Sequence, residues 1–148
     1  MRYLELGITG MKVSELGFGG IPIIRLGAEE AIGVLRRAFE KGITFYDTAN
    51  AYVSSEDKMG QAFAGMRDKV FFATKTMRRD AGGATEHLEA SLRLLRTDYV
   101  DLYQFHQVAQ EEHWQAIIGP GGAMEAVVKA KEQGKIRYAG VSSHNAAM

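Results

Sequence analysis

Ile43-Thr44-Phe45-Tyr46-Asp47-Thr48-Ala49 decides the fold. Its first four residues are β-branched or aromatic and form a short apolar run without alternation. Such a run fits a strand buried on both faces, the habit of parallel sheets. Upstream, Ala28 to Lys41 carries Ile32, Leu35, Ala38 and Phe39 at helical spacing, and Gly42 stands where a left-handed C-cap belongs. Downstream, Ser55-Glu56 open a second helix that runs to about Ala64, with Met59 and Phe63 on one face. Helix, strand and helix in this order form one link of a βαβ chain, and the strand closes on an acid, Asp47.

The link recurs. Val70 to Lys75, Val100 to His106 and Ile136 to Ser142 are further apolar runs. Their starts, with Ile43, are spaced by about thirty residues, the length of one βαβ unit. Thr85 is the expected N-cap of a helix to Leu95, with Leu88, Leu92 and Leu95 inward. After the fourth strand a helical stretch breaks at Gly119-Pro120-Gly121-Gly122, resumes through Lys131 and stops at Gly134. At the other end, Leu16-Gly17-Phe18-Gly19-Gly20 reads as a short buried first strand. Arg2 to Leu16 reads as a β-hairpin turning at Thr9-Gly10. The expected architecture is α/β, of TIM (β/α)8-barrel type. It is a partial barrel of about five βα units behind a short N-terminal hairpin, one domain over residues 1–148, truncated after the fifth strand. A whole barrel needs roughly 250 residues.

Composition narrows the function. Lys plus Arg number 18 and so do Asp plus Glu, so the formal net charge is zero. Balance of that kind argues against nucleic acid or an acidic membrane as partner. There is no cysteine, so no disulfide or thiolate metal site. No His or carboxylate cluster has metal spacing. Met1-Arg2-Tyr3-Leu4-Glu5 lacks an apolar signal region, and no run reaches membrane-spanning length. A cytoplasmic protein is expected. Gly17-Phe18-Gly19-Gly20 is not the dinucleotide fingerprint, because Pro22 stands where its third glycine should be. His87 and His113 are expected to be exposed, Arg78-Arg79 to be a solvated loop pair, and Asp98 and Asp101 to be structural.

Four polar residues fall at strand ends or in the loops that follow: Asp47, Tyr52, Lys75 and His106. In a parallel barrel these ends share one face, which carries the active site. An acid, a phenol, an ammonium and an imidazole gathered there form a proton-transfer site. A phenol ordinarily ionises near 10 and is a poor acid at pH 7. A nearby Lys75 ammonium is expected to lower that value and make Tyr52 a general acid. Asp47 would balance Lys75, and His106 would donate to a substrate oxygen.

Phe45-Tyr46-Asp47-Thr48-Ala49 with Tyr52 and Ser55-Glu56 resembles the Asp-Thr-Ala…Tyr-Gly…Ser-Glu signature of aldo-keto reductases. Phe72-Ala73-Thr74-Lys75 resembles that family's lysine strand. Leu95-Arg96-Thr97-Asp98-Tyr99-Val100-Asp101-Leu102-Tyr103 through His106 resembles its histidine strand. Gly140-Val141-Ser142-Ser143 resembles its Gly-Val-Ser-Asn strand, and the opening Leu6-Gly7…Lys12-Val13-Ser14…Leu16-Gly17-Phe18-Gly19 fits as well. The departures are Val53 for the family's Gly, Ser143 for Asn with Asn145 nearby, and Gly20 for Thr or Ser.

The resemblance covers the first half of the family's barrel. It implies reduction of an aldehyde or ketone, a small-molecule carbonyl substrate, with hydride from NADPH or NADH. Asp47, Tyr52, Lys75 and His106 would be catalytic. Gly20, Ser142, Ser143 and Asn145 would contact the cofactor, with Ser142 and either Ser143 or Asn145 on its carboxamide. The family's second half holds most adenosine and phosphate contacts. Two other readings stand beside this one. In one, a catalytically impaired half barrel is a structural or interaction protein; in the other, Lys75 forms a Schiff base as in an aldolase. A half barrel also exposes strand edges and an apolar interior, so a homo-oligomer is expected.

Overall fold

The apolar runs become strands and the helical periods become helices in the computed structural model, which describes residues 1–145. The last three residues of the expected domain lie outside that range. β1 (Tyr3–Glu5) and β2 (Lys12–Ser14) form the antiparallel hairpin, with Leu4 opposite Val13. Five parallel strands follow: β3 (Gly17–Gly19), β4 (Phe45–Asp47), β5 (Phe71–Thr76), β6 (Val100–Phe105) and β7 (Ile136–Val141). The helices are α1 (Ala28–Glu40), α2 (Ser55–Ala62), α3 (Ala81–Leu95), α4 (Glu111–Ile118) and α5 (Ala123–Glu132).

Spatial order equals sequence order, β3-β4-β5-β6-β7. Every crossover therefore steps the same way, and with one handedness all helices fall on one face. This is a barrel arc; a doubly wound sheet reverses its order midway. The period of two sends Tyr46, Phe72 and Tyr103 outward into the helix-facing core, with Leu35, Met59, Phe63, Leu88 and Leu92. Buried phenols need partners. Tyr46 donates to Ile43 O at 3.0 Å and Tyr103 to Ala84 O at 3.2 Å.

Several boundaries differ from expectation. β4 begins at Phe45, because Gly42 turns at φ +93° and Ile43 N bonds back to Ala38 O at 3.1 Å. Ile43 thus completes the C-terminus of α1. Thr44 is tied to the hairpin by two reciprocal bonds with Ser14, at 2.9 and 3.0 Å. β3 keeps only Gly17–Gly19, with Leu16 outside it and exposed. α2 stops at Ala62 rather than Ala64. α3 is capped by Asp80, not Thr85: Asp80 Oδ1 accepts from Gly83 N at 2.6 Å. Thr85 lies inside the helix and bonds back to Ala81 O. The poor helix formers Gly82 and Gly83 hid the true start.

The end of the sheet where strands begin is sealed. Asp101, wholly buried, accepts from Arg67 Nη2 at 2.5 Å, Phe72 N at 2.8 Å and Arg137 Nη1 at 2.9 Å. Arg67 also lies over the rings of Phe72 and Tyr99, at 4.8 and 4.0 Å. Tyr138 donates to Thr9 O, docking the hairpin across this end. Asp101 is structural, as its sequence position suggests, whereas Asp98 is exposed.

Candidate active site

The opposite end is where the ladder runs into loops that stay tied to it. Thr48 N donates to Ala73 O at 2.8 Å, Asn50 N to Lys75 O at 3.1 Å and His106 N to Thr76 O at 2.9 Å. The loops after β4 and β6 thus start in fixed positions. Tyr52 is set by a tight turn into α2, with its N bonded to Ala49 O and its carbonyl accepting from Ser55 N.

Asp47 closes β4, and Lys75 sits in β5 opposite Gln104 of β6. The Lys75 ammonium, nearly buried, donates to Asp47 Oδ1 and to Thr48 O, the latter at 2.7 Å. Gln104 Nε2 approaches the other Asp47 oxygen at 3.3 Å. The carboxylate is thereby held at both oxygens. Lys75 Nζ also lies 5.3 Å from the centroid of the Tyr52 ring, within cation–π range. Tyr52 OH lies 3.5 Å from His106 Nε2, and the two rings meet edge to face at 5.6 Å and 79°. All four expected catalytic side chains therefore share one cluster at the C-terminal ends of the strands.

The electrostatics correct one expectation. The Tyr52 phenol is pushed up, first by burial and then by the Asp47 carboxylate. Together these outweigh the opposing pull of the nearby Lys75 ammonium. The phenol consequently keeps its proton at neutral pH and remains a donor. His106 is held low by burial and by the Lys75 cation, opposed by Asp47, with smaller lowering from His144 and Arg79. This favours the neutral imidazole, and its tautomer decides whether Nε2 or the Tyr52 hydroxyl donates in their contact. His106 Nδ1 is buried without a hydrogen-bond partner among the described residues.

The expected cofactor residues separate into two places. Gly20 lies beyond β3, at the far edge of the sheet from β7. Its N donates to Asp47 O at 2.7 Å, and a Cβ there would meet Ser55 Oγ at 2.4 Å and Met59 Cε at 2.9 Å. Lack of a side chain lets α2 approach the loop. Ser142, Ser143 and Asn145 gather after β7. Ser142 N donates to Phe105 O at 2.9 Å, and its hydroxyl accepts from Gln107 N at 3.3 Å. Ser143 Oγ accepts from Asn145 N at 2.9 Å, and Asn145 Nδ2 donates to Ala109 O at 3.2 Å.

Two residues join the site that the sequence reading passed over. Gln104 stands two residues before His106, and strand periodicity alone would have put it on the inner face with Lys75. Arg79, expected to be solvated, is half-buried. Its Nη2 donates to His106 O at 2.5 Å and to Gln107 O at 3.3 Å. No local pattern announces that reach. His87 and His113 are half-buried rather than exposed, and His87 Nδ1 pairs with Thr76 Oγ1 at 3.0 Å. Among the described residues no group of acids and histidines could hold a metal ion, and no helix is long and apolar enough to cross a membrane.

Residues 15–148 match the sequence model of the Aldo/keto reductase family. Methylglyoxal reductase YeaE of Escherichia coli is 40% identical over 76% of the chain and 38% of its own length. The holo form of aldo-keto reductase AKR11C1 from Bacillus halodurans superposes with a TM-score of 0.83 at 32% identity, covering 97% of this chain and 51% of that one. An aldo-keto reductase from Klebsiella pneumoniae in complex with NADPH gives 0.82 at 28% identity, over 98% and 50% of the two chains. The chain spans about half the length of the curated relatives it matches.

Proposed function

The chain belongs to the aldo/keto reductase family, and on that footing we propose that it reduces an aldehyde or ketone with NADPH or NADH, using Tyr52 as proton donor. The observation that carries the reading is the convergence of Tyr52, Lys75, Asp47 and His106 at one end of the sheet. A bound nicotinamide supplies the hydride. Tyr52 gives its proton to the carbonyl oxygen. Its raised ionisation keeps that proton in place until the oxygen becomes basic. As negative charge moves onto the phenol, the Lys75 ammonium near the ring stabilises it. Asp47 and the Thr48 carbonyl hold Lys75 in place. Neutral His106 presents Nε2 beside the phenol and orients the carbonyl oxygen.

The donor set after β7 suits a carboxamide. Ser142 and Ser143 offer hydroxyls and Asn145 an amide, all able to give and accept hydrogen bonds. Gly20 enters the proposal as the residue that lets its loop lie against Asp47. Methylglyoxal, named in one relative's description, is the first substrate to try. The Schiff-base alternative finds little support, since the Lys75 amine is already engaged by Asp47 and the Thr48 carbonyl; borohydride trapping tests it. We also propose self-association through the edge strands β3 and β7, which have neighbours on one side only among the described residues, with Val141 exposed. Light scattering would check this.

The binding test is a titration with NADPH and with NADH, following Trp114 emission and nicotinamide fluorescence. A saturable change with either cofactor, weakened several-fold in Ser142→Ala, is expected. No saturable change with either overturns the reading.

A further inference from the structure

We propose that Arg79 is a positioning residue of the site, whose guanidinium grips the main-chain carbonyls of His106 and Gln107 and so sets the direction in which the imidazole leaves β6. The inference rests on the reading of His106 as the group that faces the substrate oxygen.

The geometry begins with the backbone. β6 ends at Phe105, and His106 N is already bonded to Thr76 O. Gln107 then turns into the left-handed region at φ +54°, a conformation that a residue with a Cβ adopts at a cost. That turn swings the His106 and Gln107 carbonyls out of the ladder. Both are taken by Arg79 Nη2, at 2.5 and 3.3 Å.

Arg79 is itself anchored. Its carbonyl accepts from Ala123 N at 2.8 Å, at the start of α5, and Ala81 N donates to Gly121 O at 2.9 Å. Asp80 forms an isolated bridge with Gly122. The guanidinium thus reaches the histidine turn from a fixed base.

Its charge needs explaining. Arg78 takes Asp80 at 3.2 Å, while among the described residues no ion pair engages Arg79. Arg79 Nη1 is buried without a hydrogen-bond partner among the described residues. A half-buried cation lacking a carboxylate is costly, and a neutral amide NH2 carries as many donors as the Arg79 Nη2 that takes both carbonyls. What the guanidinium adds is a longer reach and a permanent charge. The groups facing His106 are Asp47 of β4, Lys75 of β5, Tyr52 of the loop before α2, His144 after β7 and Arg79. Arg79 joins Lys75 in disfavouring the imidazolium.

Solution NMR on the full chain tests the clamp, comparing wild type, Arg79→Gln and Arg79→Lys with the four histidines assigned. The readouts are the nuclear Overhauser contact between the Tyr52 and His106 rings and the titration midpoint of His106. Arg79→Gln is expected to abolish the contact and move the midpoint upward, with His87 and His113 unchanged. Arg79→Lys is expected to keep the midpoint and lose about half of the contact. Wild-type contact in a folded Arg79→Gln overturns the proposal. If that variant does not fold, Arg79→Lys decides: a weakened contact supports the clamp and an undiminished one overturns it. Neither readout requires turnover. A chain that reduces no carbonyl but loses the contact in Arg79→Gln refutes the reductase reading and keeps the clamp. Turnover with the contact intact does the reverse.

Discussion

The two ends of β5 and β6 both carry buried charge, and they treat it in opposite ways. At the end where the strands begin, Asp101 receives two arginines and a backbone N–H, and Arg67 is further sandwiched by Phe72 and Tyr99. At the end where the strands finish, only Asp47 and Lys75 are well matched. Tyr52 reaches His106 at the long limit of a hydrogen bond, and His106 Nδ1 and Arg79 Nη1 have no hydrogen-bond partner among the described residues. A fully paired buried charge holds strands in register. An incompletely paired cluster, kept at the cost that unsatisfied groups carry, is available to a ligand. The contrast matches the division of a barrel into a stabilising and a catalytic face.

Removing Asp101 attacks the satisfied end. Asp101→Ala should destabilise the fold by about 3–5 kcal/mol, because it strands Arg67 in a buried site; urea denaturation measures it. A cost under about 1 kcal/mol would erase the distinction between the two ends. Lys75→Met tests the other end. It should lower turnover by at least about 100-fold while costing no more than about 2 kcal/mol of stability, since Asp47 is partly exposed and keeps Gln104. A stability loss as large as that of Asp101→Ala would make the upper pair structural as well.

Glu56 lies between the two levels, buried in α2, with its carboxyl accepting from Thr74 Oγ1 at 2.6 Å. Burial raises it above its ordinary 4.5. The folded state therefore holds this proton more tightly than the unfolded one. The stability that the group contributes is complete below about pH 4.5 and is lost as pH rises through the raised value. Glu56→Gln should gain on wild type from acid toward neutral pH, read as the difference in melting temperature. A difference that does not change with pH contradicts this assignment. The smallest effect is at the rim of the site. Val53, following Tyr52, is β-branched yet stands at φ +41°, with 84% of its surface exposed. Val53→Gly should stabilise the fold by about 0.5–1 kcal/mol by releasing that conformation, a shift that calorimetry can resolve. Destabilisation would show that the side chain makes contacts worth more than its strain.

The repeat of apolar run and helical period in the sequence dictated the order of strands, and Gly42 marked its turn because only the φ > 0 region fits there. Asp47, Lys75 and His106 were legible as site residues because a parallel sheet sends all strand ends to one face. Other features depend on distance in space, which a single sequence does not display. Thr85 looked the better cap because Gly82 and Gly83 mask a helix that Asp80 starts. The direction of the Tyr52 shift depended on burial and on the Asp47 carboxylate, which only the folded chain reveals. Arg79 became part of the site only through a left-handed turn at Gln107, a conformation that glutamine does not advertise. Gln104 lies within reach of the strand period, which places it on the inner face with Lys75.

The central claim is that the Tyr52 phenol delivers the proton in a nicotinamide-dependent carbonyl reduction. Its most direct test is the rate of NADPH consumption with methylglyoxal by wild type and by Tyr52→Phe, both verified as folded by near-UV circular dichroism. Turnover by wild type and a loss of at least about 100-fold in the variant is the predicted result. Equal rates in the two proteins, or no turnover by wild type with cofactor bound, would contradict it.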